Sequence, residues 1–298
     1  MPTVHLPVSL PDFLREPLTA AYTCATKPDP DTQAIVVPGG FTVTDALLAA
    51  LPKLEIISVF GVGYDGVPLP PCRDRGIRVT NTPDVLTDDV ADIASALVLM
   101  TSRRLAEAER YTRAGSWQRA PFPLAHALRG KTAGILGLGR IGKAIAQRLD
   151  AHGMKIAYHG RQPQDVPYEY CASLIALAEA SDFLVIACPG GPGTKHLVNA
   201  EVLAALGGKG TLINIARGSV VDEKALIQAL QNQVIRGAGL DVFENEPHVS
   251  EELIARDNTV LFPHVGSGTH ETRRAMAQLV IDNLAAHFAG RDLLTPVC

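Results

Sequence analysis

The stretch Gly137-Leu138-Gly139-Arg140-Ile141-Gly142 constrains this chain more than any other. An apolar run, Thr132-Ala133-Gly134-Ile135-Leu136, precedes it, and a helix-forming run from Lys143 to Leu149 follows. Strand, glycine turn and helix in that order bring backbone N–H groups and a helix N-terminus to one point, where a pyrophosphate can bind. Gly137 permits the tight turn, Gly139 lets the backbone approach the phosphates, and Gly142 lets helix and strand pack closely. A G-x-G-x-x-G alone is a weak signal, because glycine turns are common. The flanking strand and helix make dinucleotide binding the reading here, with Arg140 and Ile141 counted in the same binding turn.

The rest of the chain alternates β-rich runs with helical ones. Strands are expected at Ala34–Val37, Glu55–Val59, Arg78–Thr80, Lys155–Tyr158, Phe183–Ala187, Thr211–Ile215, Gly237–Asp241 and Thr259–Phe262. Helices are expected at Asp45–Leu51, capped by Thr44 and stopped before Pro52, then from Val90 to about Arg113 as one long helix. Further helices are expected at Leu174–Ala180, Asn199–Leu206, Asp222–Asn232 and Glu271–Ala289, while Pro68–Pro71 and Pro121–Pro123 read as short loops. Such alternation predicts parallel sheets covered by helices, with ligands at the carboxyl ends of strands. The glycine turn lies mid-chain, so a first α/β unit should precede it. The expected division is a discontinuous substrate domain, 1–96 and 277–298, and a dinucleotide-binding domain, 97–276, with a substrate cleft between them.

Of the 298 residues, 47% are hydrophobic and 19% charged, and the net charge is -4. No basic field points to nucleic acid or an anionic membrane, and no apolar run reaches the roughly 18 residues of a membrane span. The start, Met1-Pro2-Thr3-Val4-His5-Leu6, lacks the charged and apolar regions of a signal peptide. The five cysteines are scattered without C-x-x-C spacing. They suit a reducing compartment, with the cytoplasm as the expected location and no metal site.

If a nicotinamide binds at the glycine turn, reduction of a ketone needs a proton donor, a cation for the carbonyl or carboxylate oxygens, and a group that keeps the donor charged and aimed. Arg217 follows the run Leu212–Ile215, and its planar fork suits a 2-oxo acid. His264 follows Thr259–Phe262, and an imidazolium is a natural proton donor near neutral pH. A carboxylate in Asp241-Val242-Phe243-Glu244-Asn245-Glu246-Pro247 could favour the charged ring. Spacing alone does not choose between Glu244 and Glu246.

The chain resembles the D-isomer-specific 2-hydroxyacid dehydrogenases along its whole length. The resemblance is carried by Ser58–Asp65, Gly137–Gly142, Ile213–Gly218, Ala238–Pro247 and Pro263-His264-Val265-Gly266-Ser267. It implies an α/β fold of two Rossmann-like parallel-sheet domains, a flavodoxin-like substrate domain and a dinucleotide-binding domain. It also implies Arg217 for orienting substrate, Glu246 as the partner of the histidine and His264 as acid/base. The backbone N–H groups of Val62 and Gly63 would take the substrate carboxylate. Asp241 would lie near the nicotinamide, and Ile215 and Gly266 would line its pocket. Relatives are usually homodimers joined through the nucleotide domain, with a bulky residue such as Phe122 or Leu124 facing the partner's site.

NAD-specific folds place an acid at the end of the second strand. Here the chain reads Tyr158-His159-Gly160-Arg161-Gln162-Pro163: the acid is missing and an arginine follows. Arg161 would pair with a 2′-phosphate, so NADPH is expected over NADH, with NADH possible. His159, Gly160 and Gln162 belong to the same cofactor surface. This segment and Gly266-Ser267-Gly268-Thr269 are similar to the glyoxylate/hydroxypyruvate reductase branch, which implies a small 2-oxo acid as substrate, with Ser267 beside it. The segment Pro189-Gly190-Gly191-Pro192-Gly193-Thr194 departs from the family's usual loop; its Pro189 and Thr194 are assigned to the cofactor. The alternatives are an NAD-dependent member of the family (phosphoglycerate-, lactate- or phenylpyruvate-type) and a dinucleotide-sensing interaction protein. The missing acid speaks against the first, and the lack of interaction tails against the second.

Overall fold

A computed structural model describes residues 1–298. The chain forms two compact units, Met1–Leu86 with Ser267–Cys298, and Thr87–Gly266. The expected borders at 96/97 and 276/277 fall inside helices that run from Thr87 to Arg103 and from His270 to Phe288.

In the first unit, strands β1 (Thr3–His5), β2 (Thr23–Ala25), β3 (Ala34–Pro38), β4 (Ile56–Phe60) and β5 (Arg78–Thr80) pair in the order β2-β1-β3-β4-β5. Every pairing is parallel, and the order is that of flavodoxin-like sheets. Helices α1 (Asp12–Ala21), α2 (Asp45–Ala50) and α3 (Leu69–Asp74) connect them. Thr44 caps α2 as expected, its Oγ accepting from the Leu47 N–H at 3.2 Å. Ile35 and Val37 of β3 and Ile57 and Val59 of β4 pack with Leu48, Leu51 and Cys72 in one core.

Three features here escaped the sequence, the first being α1, whose pattern is interrupted by Pro17. The three-residue strands β1 and β2 are too short to show a period, and β1 carries a buried histidine, His5, bonded to the Ala25 carbonyl. The stretch Pro68–Pro71 does not stay a loop. Its prolines fill the first turn of α3, where a missing N–H costs nothing.

The second unit opens with α4 (Thr87–Arg103) and α5 (Leu105–Arg113). The single long helix expected over 90–113 is broken at Arg104, whose φ is +53°. Its guanidinium bonds both carboxylate oxygens of Glu107, at 2.8 and 2.6 Å, and lies 5.2 Å from the centre of the Phe122 ring. The core supplies the reason for the break. α4 buries Val90, Ala91, Ala94, Leu97 and Val98, whereas α5 buries nothing and need not follow the same axis.

Then come β6 (Thr132–Leu136), α6 (Arg140–Ala151), β7 (Lys155–His159), β8 (Glu169–Tyr170), α7 (Leu174–Ala180), β9 (Phe183–Ile186), α8 (Ala200–Leu206), β10 (Thr211–Asn214), α9 (Glu223–Gln231), β11 (Gly237–Leu240), α10 (Glu251–Ile254) and β12 (Thr259–Leu261). The seven-stranded sheet runs β12-β11-β10-β9-β6-β7-β8, all parallel. This is the doubly wound Rossmann order extended by one edge strand, and it reverses between β6 and β9. β9 and β10 are buried along their whole length, as strands covered on both faces must be. Helix α11 (His270–Phe288) returns the chain to the first unit and packs on β4 and α1 there. No helix of the protein is long and apolar enough to cross a membrane.

Candidate active site

Every strand of the second unit points its carboxyl end the same way, and the catalytic and cofactor candidates of this unit lie at or just past those strand ends. The turn between β6 and α6 is built as a cradle. Gly137 has φ +94°, and a Cβ there would lie 2.7 Å from the backbone of Cys188. A Cβ on Gly142 would lie 2.2 Å from the Gly137 carbonyl oxygen. A Cβ on Gly139 would meet nothing within 4 Å. The protein's own packing therefore demands the first and third glycines, while the space over Gly139 is open for a ligand. No side chain caps α6 at Gly139, which leaves the positive helix end to an anion. These features fit a dinucleotide pyrophosphate. Arg140 is exposed and Ile141 half-buried beside this opening.

β7 ends at His159, which is half-buried and stacked on Tyr170, with Nδ1 bonded to the Cys171 carbonyl at 2.8 Å. Gly160 follows with nothing within 4 Å of a notional Cβ, and the Arg161 and Gln162 side chains are exposed. The residues that follow β7 are Gly160, Arg161 and Gln162, with no acid among them.

The loops after β10, β11 and β12 form a connected cluster. Asn214 at the end of β10 shapes its own loop: Oδ1 accepts from the Ala216 N–H, and Nδ2 donates to the Arg217 carbonyl, both at 3.0 Å. Arg217 is half-buried and donates from Nη1 to the Ala216 carbonyl at 2.8 Å. Gly218 is required next, because a Cβ there would fall 1.9 Å from the Phe243 carbonyl carbon. That close approach sets the Arg217 loop against the loop carrying Glu246. Glu246 accepts from the Phe243 N–H through Oε1 at 3.0 Å and from His264 Nδ1 through Oε2 at 2.6 Å. Of the two carboxylates that spacing left open, Glu246 is the one that meets His264.

A carboxylate only accepts, so Nδ1 carries the proton and Nε2 is the ring's other working atom. Burial pushes the Glu246 carboxyl up, but the bonds from His264 and Phe243 and the charges of His264 and Arg217 outweigh it and hold it below its ordinary range. His264 itself has φ +53°, a left-handed turn that histidine tolerates better than most side chains.

Asp241 explains how that turn is held. It is 1% exposed, and its Oδ1 and Oδ2 accept from the Val265 and Gly266 N–H groups, each at 2.8 Å. Burial raises its carboxyl above the ordinary range despite those bonds. Ile215 is buried below, and Gly266 is buried against Asp241 and Val90. In the loop after β9, the Thr194 hydroxyl closes back on the Pro189 carbonyl at 2.8 Å. Val62, Gly63 and Ser267 are half-buried in the first unit, where Asn81 Nδ2 donates to the Val62 carbonyl at 2.8 Å.

One pair was missed from sequence. His196, at φ +50°, meets Glu244 through Nε2 at 2.6 Å. The Glu244 N–H in turn donates to Glu223 at 3.1 Å. The glycine-rich loop is thereby tied to the strip that carries Glu246. The only hint in the sequence is that His196 closes that loop.

The sequence model described as "D-isomer specific 2-hydroxyacid dehydrogenase, NAD binding domain" matches residues 95–266. The chain is 55% identical over 252 residues to glyoxylate/hydroxypyruvate reductase A of Arabidopsis thaliana, covering 84% of this chain and 80% of that protein. It is 54% identical, with the same coverage, to hydroxyphenylpyruvate reductase of Plectranthus scutellarioides. Among solved structures, an NADPH-dependent glyoxylate/hydroxypyruvate reductase of Sinorhizobium meliloti, in complex with NADP and malonate, superposes with a TM-score of 0.95 at 48% identity. That match covers 100% of this chain and 97% of the other.

Proposed function

Because the chain belongs to the D-isomer specific 2-hydroxyacid dehydrogenase family and is an NAD(P)-dependent enzyme that reduces 2-oxo acids, we propose that it reduces glyoxylate and hydroxypyruvate with NADPH. The observation that carries the chemistry is the 2.6 Å contact between Glu246 and His264, with the Arg217 charge beside it. The nicotinamide, when bound, supplies a hydride to the carbonyl carbon. Arg217 holds the carbonyl and carboxylate oxygens in its fork. The N–H groups of Val62 and Gly63 and the Ser267 hydroxyl are the proposed further substrate contacts. His264 gives the Nε2 proton to the carbonyl oxygen as negative charge develops there. Glu246 accepts from Nδ1 and so fixes the ring with Nε2 as the atom that carries the proton to substrate. Gly137, Gly139, Arg140, Ile141 and Gly142 hold the pyrophosphate, while His159, Gly160, Arg161 and Gln162 meet the 2′-phosphate. Pro189, Thr194, Ile215, Asp241 and Gly266 line the nicotinamide side, Asp241 by holding the backbone of Val265 and Gly266.

The choice of NADPH is supported by Gly160 and Arg161 standing where an acid would repel a 2′-phosphate. The choice of substrate is supported by the names of the Arabidopsis and Sinorhizobium relatives. The test is a matrix of initial rates at 340 nm, with glyoxylate, hydroxypyruvate, pyruvate and phenylpyruvate against NADPH and NADH. Fast turnover of the first two acids with NADPH is expected. Phenylpyruvate outrunning both would shift the substrate toward that of the Plectranthus relative, and a preference for NADH would overturn the role of Arg161.

A homodimer is proposed as well. α5 buries none of its residues, and Trp117 and Leu124 are 69% and 96% exposed in the segment that follows. Apolar side chains exposed to that degree are suited to a second copy of the chain. Light scattering on the eluting protein gives the mass that decides it.

A further inference from the structure

We propose that Gln164 is a positioning residue for cofactor choice, fastening the loop that carries Arg161 to the glycine turn. The proposal rests on the reading of Arg161 as the contact for a 2′-phosphate. Gln164 lies three residues beyond Arg161, and its Nε2 donates to the Leu138 carbonyl at 2.9 Å. Leu138 stands between Gly137 and Gly139, so this bond ends inside the turn that fits the pyrophosphate. The Gln164 N–H donates to the hydroxyl oxygen of Tyr158 at 2.7 Å, and Tyr158 is 1% exposed in β7. The other end of the loop is held by Tyr170, whose hydroxyl donates to the Gly160 carbonyl at 3.4 Å. Tyr170 is itself packed against Tyr158 and His159.

The loop is thus tied at both ends, while the side chains of Arg161, Gln162 and Pro163 between the ties remain exposed. An exposed arginine binds an anion weakly when its own backbone must be ordered first, because that entropy is charged to binding. Gln164 removes part of this cost. It also sets the spacing between two anion sites, one at the glycine turn and one at the end of β7. Only a nucleotide bearing both the pyrophosphate and the 2′-phosphate senses that spacing, so the effect of Gln164 should appear with NADPH and not with NADH.

The experiment measures dissociation constants of NADPH and NADH by nucleotide fluorescence on the whole chain. The proteins are wild type, Arg161→Ala, Gln164→Met and the double variant. Methionine keeps the length and removes the donor. Loss of one such hydrogen bond should weaken NADPH about three- to tenfold and leave NADH within about twofold. Arg161→Ala should weaken NADPH further, but the double variant should be little worse than Arg161→Ala alone, because the two residues act as one unit. Tyr158→Phe leaves its ring packing in place and releases the loop's backbone tie, and it should shift NADPH in the same direction. Equal weakening of both nucleotides, or full additivity with Arg161→Ala, would overturn the proposal and make Gln164 a general structural tie. A wild-type protein that binds both nucleotides equally would overturn the NADPH reading, and this inference with it. A wild-type preference whose size is unchanged in Gln164→Met would overturn this inference alone.

Discussion

The glycine turn joins β6 to α6 within one short segment, whereas the Glu246–His264 pair brings together residues 18 positions apart on separate loops. The first is a site made of backbone: its parts are missing side chains and unfilled N–H groups. The second is made of side chains held by other side chains, with Asp241 gripping the His264 loop and Gly218 admitting the Phe243 backbone. A backbone site fails when atoms are added. A side-chain site fails when atoms are removed.

His264→Ala should test the side-chain half most severely. His264 is exposed and its ring bonds Glu246 on the neighbouring loop, so the variant should melt with the wild type while kcat/KM falls about 10²- to 10⁴-fold, as for loss of a general acid. Arg217→Ala should fall in the same range. Wild-type rates in both variants would remove the pair from the chemistry.

The backbone half is sharpened by comparing two glycines. Gly139→Ala adds a methyl into open space, so melting should not change while nucleotide affinity drops by about one to two orders of magnitude. Gly142→Ala drives a Cβ against the Gly137 carbonyl, and stability should fall by about 1–3 kcal/mol, read by urea unfolding. Equal behaviour of the two variants would break the distinction.

A smaller effect separates both sites from the opposite end of the sheet. Asp182 accepts from the Thr132 N–H and from Lys131, each at 2.9 Å; burial raises its carboxyl, but these bonds outweigh it and the net shift is downward. A depressed folded pKa means stabilisation that is fully present above the unfolded value of 3.8 and is lost as pH falls through the lower folded value. Asp182→Asn should cost about 1–2 kcal/mol at pH 7 with normal kcat, and its unfolding curve should converge on that of the wild type below pH 3.8. The smallest expected effect belongs to His196→Gln, a few-fold rise in KM for the nucleotide at unchanged melting temperature, since the residue ties one exposed loop. A collapse in kcat there would move His196 into the catalytic cluster.

Much of the parallel α/β fold was legible because each central strand is an apolar run bounded by turn residues, and because Thr44, Asn199 and Asp222 cap helices where the pattern begins. What escaped were β1, β2 and β8, too short for a period, helix α1 with its internal Pro17, the four-residue α10, the prolines that open α3, and the break at Arg104. The last depends on a distant ring, that of Phe122, and on where the core stops.

The sequence by itself determined the glycine turn and the absence of an acid after β7, because those are properties of consecutive residues. It also placed Arg217 and His264 at strand ends, and the family resemblance singled out Glu246. Only the tertiary structure decided that Glu246 and not Glu244 meets His264, and that Glu244 is bonded to His196 instead. It also showed that Asp241 spends both oxygens on the backbone of Val265 and Gly266, and that Gln164 reaches back to Leu138. The physical reason is reach. A hydrogen bond is settled within about 3 Å, and which groups come that close depends on how parallel strands far apart in the chain set their loops side by side.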